Sequence, residues 1–374
     1  MIKMEKSRKD KKKTDRVVLF SFYGRSGMWH YATQYVNALS KFKKVYLVCP
    51  TFANKEFLSN IVQLLEINSN PSIKSFVVDT LNIFQHIKLF FKILKINPSA
   101  LHFLDNHPWS IIYALAFKLL RVKIIFTQHD PIQHTEEPRK LIQTVINRLQ
   151  MKIGNYIIIH SNLLKKLISK KNNISKNKII VYPHGNYAFL LKYKQDKIKE
   201  EPNTILFFGR ILKYKGLDLL LKSLLILKKE GYKFKAIIAG TGNLKPYKTL
   251  LKRLKGNIEL YNKYIKEEEI PYFFQRASIV ALTYRDATQS GIIAIAYPFG
   301  KPVVVTNVGG LSEVVINKKT GFIVNRNPEE IAKSIKRILY NPSIRKKMKR
   351  NCKKATHEIL DWKKNLKKTI HIYD

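Results

Sequence analysis

The stretch from residue 284 to residue 313 decides the fold of this chain, and it reads YRDATQSGIIAIAYPFGKPVVVTNVGGLSE. The order of residue types predicts a loop, a short apolar helix, a strand and a second glycine loop. The β-branched run in KPVVVT (301–306) is typical of a strand that is buried on both faces of a sheet. Strands of that kind belong to α/β proteins, in which helices cover a parallel sheet.

The loop in front of the apolar helix has the features of an anion site. Thr288, Gln289 and Ser290 stand where the helix would begin, so Thr288 or Ser290 can cap it. The remaining N–H groups of the first turn, together with the helix dipole, would attract an anion such as a phosphate. Gly291 would let a ligand approach the backbone closely.

A second helix begins after the strand. Gly309 and Gly310 turn the chain, and Ser312 and Glu313 follow near the helix start. Glu313 is either a binding residue or an ordinary cap of this helix. Two helix starts beside one strand end predict a site for a small molecule that carries a diphosphate.

A glycine loop with two cations supports the same prediction. The strand TILFFGR (204–210) ends at Gly209, and a helical pattern begins at Leu217. The loop between them carries Arg210 and Lys215, which can neutralise a leaving diphosphate and are therefore candidate catalytic residues. The alternative is a pair of solvated loop cations.

Taken together, these motifs resemble those of the retaining glycosyltransferases of family 4, which have the GT-B fold. In the second half the resemblance is carried by Gly209-Arg210, Lys215-Gly216, AGTG (239–242), QSG (289–291) and GKPVVVTNVGGLSE (300–313). In the first half it is carried by YGRSGMWHY (23–31) and TQHD (127–130). The resemblance implies an α/β fold of the GT-B type, with two doubly wound Rossmann-like domains that face a cleft.

The same resemblance implies the reaction. A hexosyltransferase-like enzyme of this kind moves a sugar from a nucleotide-diphosphate sugar, bound by the second domain, to a glycan or lipid-linked acceptor, bound by the first. It retains the anomeric configuration and serves cell-surface polysaccharide or glycolipid assembly. We expect it in the cytoplasm, either free or as a peripheral protein at the inner face of the membrane. No cofactor besides the donor is expected, and no metal, because the histidines and acids lack ligand spacing.

Several candidates in the first half come from the resemblance. His129 ends an apolar strand and matches the active-site histidine of the family, which implies a hydrogen bond to the donor sugar. A structural histidine at the sheet edge is the alternative. Asp130 would orient His129 or touch the acceptor. Gly24 and Gly27 resemble the first glycine loop, which faces the diphosphate, although a plain tight turn fits equally well.

Further candidates follow the strand at 258–261. Tyr264 and Ile265 stand where the nucleotide base packs in the family. His30 and His134 are either structural or on the acceptor side.

The chain departs from the family pattern at two positions. Family members carry two glutamates separated by seven residues, and these positions fall on Ala287 and Ile295 here. In the family the second glutamate holds the ribose of the donor. We expect Gln289 and the loop amides to replace the acidic groups, so that diphosphate binding is kept while the identity of the donor stays open.

The alternation of strands and helices divides the chain into domains. We expect a basic disordered arm at 1–15, a first domain at 16–190, a polar linker at 191–203 and a second domain at 204–354. The terminal helix, at about 355–374, is expected to cross back to the first domain, as in GT-B proteins. Strands are predicted at 16–22, 44–50, 122–129, 155–161, 178–185, 204–208, 235–239, 258–261, 278–282 and 302–306.

The net positive charge of the chain can be explained in several ways. The 374 residues carry a formal net charge of +43, spread along the whole sequence. Drift towards lysine codons, an anionic membrane surface and a nucleic acid would each account for it, but no nucleic-acid-binding module is visible, so no nucleic acid partner is expected. The two cysteines, Cys49 and Cys352, lack metal or redox spacing and favour a reducing compartment. The lysine-rich start does not resemble a signal peptide.

One predicted helix also bears on the hypothesis that the protein contacts an anionic membrane surface. In NIFQHIKLFFKILK (82–95), Lys88, Lys92 and Lys95 share one stripe of a strongly apolar helix. It is either a core helix with a solvated lysine edge or a surface that meets anionic lipid.

Other functions are compatible with these motifs. The charge admits a polyanion-binding or nucleic-acid-binding protein on a GT-B scaffold. The missing acids at Ala287 and Ile295 admit an inactive relative, and an epimerase-like or phosphorylase-like relative would keep the same fold.

Overall fold

Two parallel β-sheets, one in each half of the chain, form the framework of the computed structural model, which describes residues 15–70, 72–131 and 140–374. The expected α/β fold is therefore confirmed. The predicted disordered arm, apart from Asp15, lies outside the described residues, and so does His134.

The first sheet is built from the first half of the chain. Within the described ranges its strands are β1 (Arg16–Phe20), β2 (Lys44–Pro50), β3 (Gln63–Ile67), β4 (Ala100–Phe103), β5 (Lys123–Thr127), β6 (Tyr156–Ile159) and β7 (Ile179–Val181). They pair in the order β3-β2-β1-β4-β5-β6-β7, and neighbouring strands are parallel. The order reverses at β1, so the carboxyl end of β1 lies at a topological switch point, where ligands bind in such sheets.

The second sheet repeats the arrangement. Its strands are β8 (Thr204–Phe208), β9 (Lys235–Ala239), β10 (Ile258–Tyr261), β11 (Ile279–Leu282), β12 (Val303–Thr306) and β13 (Gly321–Val324). They pair in parallel in the order β10-β9-β8-β11-β12-β13. Val303, Val304 and Val305 are all fully buried, as expected for a strand that helices cover on both faces.

Helices flank both sheets. In the first half they are α1 (Ser26–Leu39), α2 (Ile73–Leu81), α3 (Ile83–Ile96), α4 (Trp109–Leu119), α5 (Lys140–Ile153) and α6 (Asn162–Asn172). In the second half they are α7 (Leu217–Lys229), α8 (Lys248–Arg253), α9 (Ile270–Arg276), α10 (Gly291–Ala296), α11 (Leu311–Val314), α12 (Pro328–Leu339), α13 (Pro342–Glu358) and α14 (Trp362–Thr369). Over the described ranges, none of these helices combines the length and the apolar character that a membrane span requires.

The connection between the two sheets is anchored to the second domain. It contains a short 3-10 helix, Ala188–Tyr193, and then runs to Asn203 without regular structure. Glu200 lies 2.8 Å from Lys301 Nζ, and Glu201 forms an ion pair with Arg276. The segment expected to be a polar linker is thus fixed by its acidic residues.

The end of the chain returns to the first domain. Helix α14 packs on α1, and the Tyr373 hydroxyl lies 2.9 Å from the Tyr35 hydroxyl. The ring of Trp362 covers Gly185, where an added Cβ atom would lie 2.1 Å from the indole. The last helix therefore completes the core of the first domain.

Candidate active site

A cleft of about 660 Å³ lies between the two domains, at the carboxyl ends of both sheets. Ten of the thirteen predicted site residues line it: Gly27, His129, Gly209, Arg210, Lys215, Tyr264, Ile265, Gln289, Ser290 and Gly291. Gly24, Thr288 and Glu313 do not. The cations and glycine loops predicted to share a site therefore lie around one cavity.

The start of α1 forms the first-domain wall of the cleft. Ser26, Gly27 and Met28 line it, and the N-cap residue Arg25 makes no side-chain hydrogen bond to the helix. An added Cβ atom at Gly27 would meet nothing within 4 Å, so this turn has open space beside it. Uncapped N–H groups and the positive end of a 14-residue helix thus face the cleft.

Gly24 lies in the turn outside the cavity lining. Its φ is +56°, and an added Cβ atom would lie 2.9 Å from Pro50 Cγ. The residue makes the turn that leads from β1 into α1, and the close packing on Pro50 keeps it away from the cavity. This geometry fits the tight-turn alternative, and a contact of Gly24 with the donor stays a prediction.

The loop after β8 brings a cation to the cleft floor. A Cβ atom at Gly209 would lie 3.0 Å from Lys215 Nζ, so the ammonium group passes directly over the glycine. Lys215 Nζ also lies 5.2 Å from the centre of the Tyr284 ring, within cation–π range. Gly209 adopts φ +101°, which suits glycine. Arg210 lines the same cavity.

The loop before α10 lines the same cavity as Arg210 and Lys215. The Ser290 hydroxyl accepts a hydrogen bond of 3.3 Å from Ile292 N, as predicted for a helix cap. Ile292 Cδ1 would lie 3.7 Å from a Cβ atom at Gly209, so the two loops adjoin. The buried Gln289 Oε1 finds no hydrogen-bond donor among the described residues. The cleft thus contains an unsatisfied acceptor beside its cations.

Thr288 and Glu313 join the two domains instead of lining the cleft. The Thr288 hydroxyl donates a hydrogen bond to Asp130 of the first domain. The Glu313 carboxylate accepts hydrogen bonds of 2.8 Å from Asn162 N and 2.9 Å from Leu163 N, and so caps α6. The polar groups of these two residues thus contact the opposite domain, and the binding of the donor by Thr288 and Glu313 stays a prediction.

His129 is held by two protein contacts. Its Nε2 lies 2.9 Å from the Leu104 carbonyl, so Nε2 carries a proton and donates. Its Nδ1 lies 3.3 Å from His160 Nε2, and His160 Nδ1 donates to the Tyr182 carbonyl at 2.8 Å. Burial lowers the pKa of both imidazoles. In the neutral rings, His129 Nδ1 and His160 Nε2 face each other and both are hydrogen-bond acceptors. His129 Nδ1 therefore receives no proton from His160 and can accept a hydrogen bond from a hydroxyl group of a ligand.

Three functional candidates were missed in the sequence. His184 and Tyr187 line the cleft, and an added Cβ atom at Gly291 would lie 3.9 Å from His184 Nε2. Burial lowers the pKa of His184 to about 4, so its ring is neutral near pH 7. Glu267 lies 2.7 Å from His30 Nε2 across the cleft. His184 and Tyr187 follow the carboxyl end of β7, and this position was the signal that could have identified them.

The far end of the cleft offers an aromatic face. Tyr264 and Ile265 line it, and the Tyr264 side chain is 59% exposed. Within the described ranges no group of three or more histidine, cysteine or acidic side chains is placed to hold a metal ion. Metal independence stays a prediction.

Two family models match the chain. The model described as Glycosyltransferase Family 4 matches residues 25–185, and the model described as Glycosyl transferases group 1 matches residues 191–355. The boundary between the two matches falls where the first sheet ends and the connection to the second begins.

Curated relatives share part or most of the chain. An uncharacterised glycosyltransferase of Methanocaldococcus jannaschii is 26% identical over 346 residues, which cover 87% of either protein. A capsular polysaccharide biosynthesis glycosyltransferase of Staphylococcus aureus is 28% identical over 227 residues, 56% of this chain and 59% of that one. Among three such relatives the match spans 46%, 67% and 87% of the relative's own length.

A solved structure shares the whole architecture. The Anabaena protein HepE in complex with UDP superposes with a TM-score of 0.71 over 95% of this chain and 99% of that chain, at 14% identity. The same Anabaena protein has also been crystallised with UDP-glucose. At this level of identity the likeness concerns the fold.

Proposed function

Because the chain belongs to the family 4-like glycosyltransferases of the GT-B fold, we propose that its cleft binds a nucleotide-diphosphate sugar and transfers the sugar to a glycan or lipid-linked acceptor. Retention of the anomeric configuration is part of the proposal. The observation that carries it is the meeting of Arg210, Lys215 and two helix starts around one cavity.

The electrostatics of the cleft suit a diphosphate. Arg210 and Lys215 supply two positive charges, and the start of α1 supplies uncapped N–H groups on the opposite wall. A diphosphate gains negative charge when the bond to the sugar breaks. Fixed cations in a water-poor cleft stabilise that charge more than they stabilise the bound donor, which is the condition for catalysis.

The rest of the donor would extend from the diphosphate. Tyr264 offers an exposed aromatic face for the base, and the buried Ile265 lines the cleft as well. We propose uridine as the first base to test, because the Anabaena structure of the same fold contains UDP. The unsatisfied Oε1 of Gln289 would accept a hydrogen bond from a donor hydroxyl, in place of the acidic groups missing at Ala287 and Ile295.

The sugar and the acceptor would lie on the first-domain side. His129 and His184 line the cavity. His129 Nδ1 faces His160 Nε2 and His184 Nε2 faces the Tyr187 hydroxyl, each at 3.3 Å, and we propose that each nitrogen accepts a hydrogen bond from a sugar hydroxyl when the donor binds. In the reaction the bond between the anomeric carbon and the diphosphate oxygen breaks, and its electron pair stays on the diphosphate. A bond forms between that carbon and the acceptor oxygen, whose proton leaves with the diphosphate. His129 thus positions the sugar and does not act as a base.

One relative supports a proposal for the biological setting. The S. aureus relative is named for capsular polysaccharide biosynthesis, and we propose cell-surface polysaccharide or glycolipid assembly as the pathway. A place at the cytoplasmic side of a membrane would bring the enzyme to a lipid-linked acceptor. We propose that transfer needs no metal, because the cations of the cleft balance the diphosphate charge.

The test compares Arg210→Ala with Lys213→Ala. Lys213 belongs to the same loop but is exposed and does not line the cleft. We expect Arg210→Ala to lose about 3 kcal/mol of transition-state stabilisation, a factor of roughly 10²–10³ in kcat/KM. Lys213→Ala should transfer sugar at the wild-type rate. Turnover of a panel of nucleotide sugars, with and without chelator, is the measurement.

Three outcomes would contradict the proposal. Nucleotide-sugar binding that is unaffected by Arg210→Ala, together with polymer binding that falls steeply with salt, would indicate a polyanion-binding protein. A donor that is isomerised without an acceptor would indicate an epimerase-like enzyme. A lack of turnover with every donor would indicate an inactive relative.

A further inference from the structure

We propose that the first domain docks on an anionic lipid bilayer through the exposed side chains of residues 74–121. These residues, here called the α2–α4 face, belong to α2, α3, α4 and their flanks. The docking step goes beyond sugar transfer and rests on the proposed function only where it concerns the acceptor.

The α2–α4 face exposes large apolar side chains. Phe84 is 87% exposed, Leu119 86% and Leu81 71%. In α3, Leu89 and Ile93 are buried in the core of the first domain, and the helix is a core helix along that side. Its other side is exposed and carries the apolar side chains of Ile83, Phe84, Ile87 and Phe91. The core-helix interpretation of the segment at 82–95 thus describes one side of α3, and the membrane interpretation concerns the other. Large apolar side chains that are exposed on neighbouring helices are typical of an interaction site.

An apolar groove crosses the face between α3 and α4. Its volume is about 260 Å³, its floor includes Trp109 and Tyr113, and its rim includes Ile87, Phe91 and Ile112. The three rim side chains are between 47% and 63% exposed. A groove with almost no polar lining suits an acyl chain, which has no hydrogen bonds to lose.

The charge of the face has a single sign. Lys88, Lys92 and Lys95 are exposed along one edge of α3, and Lys118 and Arg121 are exposed at the end of α4. Over residues 74–121, all of which are described, the acidic residues are Asp79 and Asp105, and both are buried. The face therefore complements a negatively charged partner.

The combination of charges and apolar groups selects a bilayer. A nucleic acid would pair with the lysines but would leave Phe84 and Leu119 in water. A bilayer takes the apolar side chains into the interface and holds the lysines at the level of its phosphates. Each basic residue near such a surface adds roughly 1 kcal/mol of attraction.

The face is connected to the cleft through the loop after β1. The Trp109 ring packs edge-on against Phe22 at 5.4 Å, and the His107 ring lies 5.4 Å from that of Tyr23. Three residues beyond Tyr23 the chain enters the cleft wall at Ser26. An acceptor whose lipid end stays in the bilayer could thus extend its polar head along this loop to the donor.

The experiment is flotation of the full chain with two kinds of vesicle, phosphatidylcholine alone and phosphatidylcholine with phosphatidylglycerol. We expect binding to the mixed vesicles. The double variant Phe84→Glu with Leu119→Glu, and separately Lys88→Glu with Lys92→Glu, should each lower the partition coefficient at least about tenfold. Binding by either variant at the wild-type level would overturn the proposal, as would an absence of wild-type binding.

Matched variants control for charge and for folding. Lys222→Glu with Lys229→Glu changes the same charge on exposed positions of α7, and Leu260→Glu with Ile316→Glu changes exposed apolar positions of the second domain. Both should bind vesicles like the wild type. The docking would also be overturned if the protein bound RNA but not vesicles, and if the variant Phe84→Glu with Leu119→Glu still bound RNA. This result would indicate a polyanion partner.

The outcome is separable from the proposed reaction. Thermal stabilisation by UDP should be the same in wild type and in all four double variants, since none of the changed residues lines the cleft. Vesicle binding without UDP binding would refute uridine as the base and leave the docking in place. UDP binding without vesicle binding would refute the docking and leave uridine as the proposed base.

Discussion

At the scale of single residues, Gln289 shows how this chain differs from its family pattern. It lies in the loop that carries the first family glutamate elsewhere, and its buried Oε1 has no donor among the described residues. A buried acceptor without a partner costs free energy, commonly 1–3 kcal/mol. A ligand hydroxyl that satisfies Oε1 recovers this free energy on binding.

Replacement of Gln289 should separate stability from binding. We expect Gln289→Leu, which has a similar size but no acceptor, to leave the unliganded melting temperature unchanged or higher. The same variant should weaken the binding of the nucleotide sugar by about 1–2 kcal/mol, because the hydrogen bond is lost. Calorimetric titration and thermal unfolding measure the two effects. Gln289→Glu keeps an acceptor and should bind more tightly than Gln289→Leu; equal affinity in both would refute the role.

The sequence identified most residues of the cleft but not their roles. Arg210, Lys215 and Gln289 could be found because local motifs place them at strand ends. The hydrogen bonds from the start of α6 to Glu313 could not be predicted. Ser161 and Asn162 are about 150 residues away from Glu313, and no local pattern links them. Interdomain contacts of this kind depend on how the two sheets face each other.

Glu313→Gln tests this interdomain contact. Loss of the charge at the start of α6 should lower the free energy of unfolding by about 1 kcal/mol and leave the affinity for UDP unchanged. Glu329→Gln is the control, because Glu329 stands in the first turn of α12 and is exposed. A fall in UDP affinity without a fall in the free energy of unfolding would indicate that Glu313 binds the donor. Chemical unfolding and calorimetric titration give both quantities.

At the scale of elements, ten of the thirteen strands in the described residues were predicted from the sequence and three were missed. The predicted bounds of β2, β8, β9 and β10 agree with the structure to the residue. The missed strands are β3, β4 and β13. β3 is an edge strand with mostly exposed side chains, β4 has four residues and contains His102, and β13 begins at Gly321. Short or polar strands are fixed by their neighbours in the sheet and leave little local signal.

Gly185→Ala tests how firmly α14 is attached to the first domain. The new Cβ atom would lie 2.1 Å from the Trp362 ring, so the ring or the loop must move. We expect destabilisation by at least about 1–3 kcal/mol, as for other overpacked sites. Gly27→Ala is the matched control, since its Cβ atom would meet nothing within 4 Å. Equal melting temperatures for both variants would show that the contact is loose.

At the scale of the whole molecule, buried histidines set the response to acid. Burial lowers the pKa of His102 and His107 to about 3, and that of His184 to about 4, from an ordinary value of 6.5. The unfolded chain therefore binds protons that the folded chain does not. Each unit of lowered pKa corresponds to roughly 1.4 kcal/mol of stability that is present above pH 6.5 and lost on acidification.

The free energy of unfolding should accordingly fall as the pH drops from about 6.5 through 4. One group acts in the opposite sense: burial raises the pKa of Asp105 to about 6, so its contribution is lost as the pH rises. The three histidines outweigh this single carboxyl group. Urea unfolding at a series of pH values is the measurement, and a stability that peaks below pH 5 would contradict the prediction.

The return of the chain end has a consequence for biosynthesis. The Tyr373 hydroxyl lies 2.9 Å from that of Tyr35 and 2.6 Å from His102 Nδ1, and both partners belong to the first domain. In the order of translation, Tyr373 comes after the whole second domain. While the second domain is being translated, the Tyr35 hydroxyl and His102 Nδ1 therefore lack this partner, and the core of the first domain closes only after α14 has been made.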